Sequence, residues 1–214
     1  MTATEALLRP ALRGSLHRWA APVAVALTVL VAVRAPSGGT TAAVIVYGSG
    51  VTAMLAVSGT YHAPRLFARR RRLLRRLDHA AIFVAIAGTY TAVIVLALDG
   101  TTRVVLLVLA WVIGGAGIVI RMVWFDTPSG LIAVVYLAAG WMILLDLPAY
   151  VQALSGAELA WLAVGGGLYT VGAAAFALKW PNPWPAVFGY HEIFHTMVIT
   201  AAFAHWFAVF SLAG

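Results

Sequence analysis

Cysteine is missing from all 214 residues of this chain. Disulfide frameworks and thiolate metal sites are therefore excluded, and the redox compartment is left undetermined. Charge is scarce as well: 10% of the residues are Asp, Glu, Lys or Arg. A soluble domain needs far more polar surface than that. What takes its place is apolar, with 63% hydrophobic residues and a mean hydropathy of +0.94. Such a composition belongs to an integral membrane protein. The net charge of +7 would suit nucleic acid, but most of it lies in one arginine-rich stretch between apolar segments. Membrane topology explains that stretch better, and no nucleic-acid partner is expected.

About 20 apolar residues are needed to cross 30 Å of hydrocarbon. Seven segments qualify, at about 18–35, 41–62, 78–98, 104–124, 130–147, 158–178 and 186–212. The fifth is the shortest. Short connectors with turn residues separate them: PSGG at Pro36, DGTT at Asp99, DTPSG at Asp126 and WPNPWP at Trp180. The expected fold is all-α, a polytopic bundle of seven transmembrane helices forming one domain over residues 1–214. Arg9, Arg13 and Arg18 before an apolar run resemble a secretory signal. Arg34 and Pro36 spoil a cleavage site, however, so the run is read as a retained first helix.

Basic residues orient the bundle. With the N-terminus inside, the inner segments hold Arg9, Arg13, Arg18, the run from Arg65 to Arg76, Arg121 and Lys179, while the outer ones hold only Arg34 and Arg103. This bias predicts a cytoplasmic N-terminus and an external C-terminus. Trp19, Trp124, Trp180 and Trp184 fall at the inner boundaries, as an aromatic belt would place them. Small residues at Gly114–Gly117 and Gly165–Gly167 are expected to serve ordinary helix packing.

Ionisable residues inside spans are costly, so each is a functional candidate until a cheaper explanation is found. The second span ends in SGTYH, and Ser58 and His62, four apart, share a helix face. The third begins near Asp78. The seventh carries His191 and His195, again four apart on one face. A topology assigned from arginines alone thus brings Ser58, His62, Asp78, His191 and His195 to one membrane depth. Three neutral imidazoles leave a fourth, open position on tetrahedral Zn²⁺, the pattern of catalytic zinc. Asp78 is the best-placed carboxylate to hold the water and take its proton, and Ser58 is placed to support the carboxylate, the water or a substrate carbonyl. Each group also has a plainer explanation: interfacial histidines, bundle contacts, or for Asp78 a helix-start acid paired with Arg75 or Arg76. Another imidazole-binding metal is also compatible with these ligands. His17 is read as interfacial, His79 as a headgroup or arginine contact, and His205 as a bundle contact. Asp146 falls near an outer boundary, and Tyr90 is given no specific role.

The stretch HEIFH, His191 to His195, also matches the H-E-x-x-H pattern of zinc proteases. The extended protease form needs a histidine six residues after the second, where this chain has Ala201. Glu192, one residue from His191, projects off the shared face. The pattern is therefore read as H-x-x-x-H, with His62 completing the set.

The blocks SGTYH (Ser58 to His62), DHAAIFVAIAGTYT (Asp78 to Thr91) and HEIFH resemble bacterial hemolysin III-type members of the progestin and adipoQ receptor family, whose eukaryotic relatives include the adiponectin receptors. The seven spans and inner N-terminus match too, so the resemblance covers nearly the whole chain. It implies Zn²⁺ held by His62, His191 and His195, Asp78 on the zinc water, Ser58 in support, and a bacterial inner-membrane location. It also implies hydrolysis of lipid amides, as proposed for ceramidase-like relatives. Ala92 departs from the proline expected after GTYT in many bacterial relatives, but it touches no proposed ligand.

The leading expectation is a zinc-dependent hydrolase of a lipid amide or ester from the inner leaflet, with Asp78 and Ser58 as catalytic groups. The alternative is a non-enzymatic sensor or regulator whose zinc pins the second and seventh helices together. A transporter would want polar groups in both membrane halves, whereas these concentrate in the inner one. Anionic lipids are the expected partners of the basic loop from Arg65 to Arg76, at about 1 kcal/mol per basic residue.

Overall fold

The computed structural model describes residues 10–63, 68–124 and 128–214. Arg9, Arg65 and Asp126, all used in the sequence reading, lie outside them. The helices are α1 (Ser15–Ala32), α2 (Gly38–Tyr61), α3 (Ala68–Ala97), α4 (Gly100–Val123), α5 (Ser129–Gly140), α6 (Leu147–Ala153), α7 (Gly156–Leu178) and α8 (Tyr190–Leu212), with a 3₁₀ segment at Met142–Asp146 between α5 and α6. Among the described residues there is no strand, only an isolated bridge between Trp184 and Phe188. Seven segments are long and apolar enough to cross a membrane, with α5, the 3₁₀ turn and α6 together forming the fifth.

Local chemistry sets several helix starts. At α2, Ser37 Oγ accepts from Thr40 N at 3.3 Å while Thr40 Oγ1 accepts from Ser37 N at 3.1 Å. At α7, Ser155 and Glu158 make the same reciprocal pair. Each box satisfies donors that a helix start leaves open.

The spans are not equivalent. α2 and α3 are central, burying 56% and 61% of their most apolar windows, whereas the sixth span buries 17%. They cross closely because glycines meet backbone: a Cβ on Gly50 would lie 2.9 Å from Val84 O, and one on Gly88 3.0 Å from Val46 O. Gly114 and Gly117 admit Ala87 and Phe83 of α3 in the same way. Val104, Val108, Val112 and Val119 on α4 face outward, as a lipid-facing surface requires.

Two expectations need correction. The arginine run is not a loop from residue 70 onward, because α3 begins at Ala68 and carries Arg70 to Arg76 as its first turns. Its Arg, Leu and Ala are strong helix formers with no breaker among them. The fifth span, read as 130–147, runs from Gly130 to Ala153 and is interrupted at Trp141–Asp146. Tyr90 explains how the break is tolerated. Its hydroxyl donates to Gly140 O at 2.6 Å and accepts from Ile143 N at 2.8 Å. Backbone groups freed inside a membrane must be met in this way. Asp146 lies within that span rather than at its boundary, and its Oδ1 accepts from Ala149 N at the start of α6.

Candidate metal centre

One end of the bundle collects the start of α1, the end of α2 and the start of α8. His62 follows α2 directly, and its N–H still bonds to Ser58 O at 3.1 Å. His191 and His195 stand one turn apart at the start of α8. A strap before α1 ties these ends together: Ala11 N donates to Ala186 O at 2.9 Å and Leu12 N to Val187 O at 3.3 Å. Arg13 ion-pairs with the buried Glu192. Gly14, with φ of 79°, turns the strap into α1 directly against His62, where a Cβ would overlap the His62 Cβ.

Glu192 is thus a structural residue. One oxygen meets Arg13 and the other accepts from Gly189 N at 2.9 Å, which closes the first turn of α8. His191 and His195 line the cavity described below, and Glu192 is absent from that lining.

The three imidazoles converge. His62 Nε2 and His191 Nε2 lie 3.2 Å apart, and one ring nitrogen from each of His62, His191 and His195 falls within 4.8 Å of the others. Ring centroids are separated by 4.8 Å (His62–His191), 5.2 Å (His62–His195) and 4.5 Å (His191–His195), with the planes inclined at 81°, 59° and 61°. With Zn–N bonds of about 2.0–2.1 Å, tetrahedral ligand nitrogens sit about 3.3 Å apart and their ring centroids about 5 Å apart. The donor set fits a zinc ion by type and spacing. His195 Nδ1 is buried without a hydrogen-bond partner among the described residues.

Asp78 is half-buried, with its carboxylate accepting a hydrogen bond from the Ser58 hydroxyl. All five predicted residues line one cavity of about 700 Å³. The cavity continues along Ile82, Ile86, Val93, Leu137 and Leu144 to Val151 in α6, so most of its wall is apolar. His205 also lines it but bonds to Leu162 O at 3.3 Å, as a bundle contact would.

Sequence reasoning missed two features. His17, read as interfacial, is 3% exposed and lies flat on His195, with centroids 3.8 Å apart and planes 11° from parallel. The cause is a helix boundary: α1 starts at Ser15, not near residue 18, so His17 is already inside the bundle. Extending the same-depth argument by one turn would have found it. His79 makes a contact that the sequence reading did not foresee. Its Nδ1 contacts Arg121 of α4, while Tyr136 donates to its backbone carbonyl at 3.0 Å.

The fold and site together define a class: a polytopic helical membrane protein with a three-histidine cluster on the wall of a mostly apolar cavity. The family model described as "Haemolysin-III related" matches residues 6–206. The chain belongs to that family. It is 33% identical over 141 residues to the Hemolysin-3 homolog of Bacillus subtilis (strain 168), covering 66% of this chain and 63% of that protein, which is less than two thirds of the relative's length. Hemolysin-3 of Bacillus cereus is 27% identical over 199 residues, 90% of this chain and 86% of the other. The Adiponectin receptor protein of Drosophila melanogaster shares 42% identity over 65 residues, 28% of this chain and 15% of that receptor. These relatives agree with the hemolysin III type inferred from the sequence blocks.

Proposed function

We propose that this protein is a zinc-dependent hydrolase of a lipid amide or ester, with its site facing the inner leaflet of the bacterial membrane. One observation carries the reading: three converging imidazoles and an Asp78–Ser58 pair share the wall of a long, mostly apolar cavity. His62, His191 and His195 would hold the ion. When bound, zinc supplies Lewis acidity that activates water and polarises a carbonyl.

The chain's own residues account for the rest. The cavity volume is within the usual range for a ligand site, and its apolar length would hold an acyl chain while excluding bulk water. Asp78 takes the proton from the attacking water and returns it to the leaving nitrogen or oxygen. Ser58 donates to the carboxylate and so keeps it aimed. The bias of basic residues orients the site end to the cytoplasm. Because the chain has no cysteine, single cysteines introduced at connectors would report sidedness cleanly, and labelling of the 36–37 connector from the cytoplasmic side would refute that orientation.

The reading is tested by the metal content of detergent-purified, never-chelated protein beside a variant with His62, His191 and His195 all changed to Ala. About one zinc per chain, lost in the variant, supports it. Hydrolysis of lipid amides is then screened with Asp78→Asn as control. A folded sample without metal would sink the mechanism. Bound zinc with no turnover on any lipid amide or ester would leave the alternative, a regulator whose zinc joins α2 to α8.

A further inference from the structure

Histidine side chains rotate broadly about their last torsion, so a ring at a metal centre must be held by its surroundings. The usual device is a hydrogen bond from the outer nitrogen to a carboxylate or carbonyl. His195 lacks it at Nδ1, which is buried with no partner among the described residues. What contacts its face instead is His17, whose ring lies 3.8 Å away and 11° from parallel. His17 is held in turn by α1, which Gly14 sets against His62 and which follows the strap bound to residues 186, 187 and 192.

His17 is not a fourth ligand. A metal lies in the plane of the imidazole that binds it, and two nearly parallel stacked rings cannot share one ion in both planes. Its centroid distance to His195 is shorter than the 4.5 to 5.2 Å among the three converging rings, and those three are mutually tilted. We propose that His17 is a positioning residue of the metal centre, a flat wall from the first span that fixes the plane of the His195 ring. This rests on the metal reading given above and adds α1 to the helices that build the site. It also gives the strap a purpose, since a shift of α1 would release the ring.

The test uses the full chain in detergent and two variants that both fill the space, His17→Phe with a flat face and His17→Leu without one. Zinc affinity is measured by chelator competition, the visible spectrum is recorded after loading with cobalt(II), and thermal midpoints of the metal-free proteins monitor folding. His17→Leu is expected to bind zinc about 10–100-fold more weakly, the range for lost outer support of a ligand, and to alter the cobalt bands. His17→Phe is expected to keep both near wild type. Wild-type affinity and spectrum in His17→Leu would overturn the proposal. So would a folded His17→Phe as weak as the leucine variant, because the nitrogens rather than the face would then matter. Wild-type protein that binds no metal is a separate failure, that of the metal reading itself.

Discussion

Glu158 at the start of α7 and the histidines at the start of α8 are polar groups within an apolar bundle, but they differ in how they are satisfied. Glu158 Oε2 accepts from Ser155 N at 2.7 Å and Ser155 Oγ at 2.8 Å, and its Oε1 accepts from Ser211 Oγ at 2.9 Å. That network is closed within the chain and joins the start of α7 to the end of α8. The histidine cluster instead brings one ring nitrogen from each of three residues within 4.8 Å of the others. A network closed on itself specifies a fold, whereas nitrogens that converge on one another from separate helices are arranged to hold a ligand. Residue type alone does not distinguish the two.

The sharpest break in the comparison comes from the ligands. Changing His62, His191 or His195 singly to Ala should lower zinc affinity by more than the roughly 100-fold that losing an outer partner costs, as measured by chelator competition. Equal affinity in any of the three would remove that residue from the centre. Asp78→Asn should then reduce lipid-amide turnover by about 100-fold or more while zinc content stays at wild type, and retained turnover would leave Asp78 only a structural partner of Ser58.

Smaller effects are expected on stability alone. Arg13→Ala leaves the carboxylate of Glu192 buried without its ion-pair partner, for about 3–5 kcal/mol, with Arg13 itself only partly exposed. Thermal unfolding in detergent should therefore drop well below that of Glu192→Gln, and similar midpoints would show the pair to be weak. Ser211→Ala removes one bond to Glu158 at the opposite cluster and should cost about 1–2 kcal/mol with no change in zinc affinity. Altered metal binding there would contradict the separation of the two clusters. Tyr90→Phe strips the hydroxyl from the fifth-span break and should cost about 1–3 kcal/mol. An unchanged midpoint would mean that other groups satisfy the break.

The legible part of this protein follows a physical line. Span number came from hydropathy, and the shared faces of Ser58 with His62 and of His191 with His195 came from helical spacing. Both are properties of short stretches, and a membrane amplifies them because every apolar run must be long enough to cross. The less legible part begins at boundaries. A difference of three residues at the start of α1 decided whether His17 was a surface group or part of the site. The helical continuation of the arginine run was written in its propensity but masked by its charge. The break at Trp141–Asp146 has no proline at its start and reads as one more apolar run, because the residue that stabilises it, Tyr90, lies 50 or more positions away.

The sequence by itself determined the membrane class, the seven spans, and the order of polar blocks that brings Ser58, His62, Asp78, His191 and His195 to one end. Tertiary structure alone decided that Glu192 pairs with Arg13 across 179 positions, that His17 lies flat on His195, and that the cavity runs on past the cluster. Hydropathy and helical phase are set by neighbours in the chain. Ring orientation, ion-pair choice and empty space are set by which helices touch, and one chain's local pattern is compatible with many such arrangements.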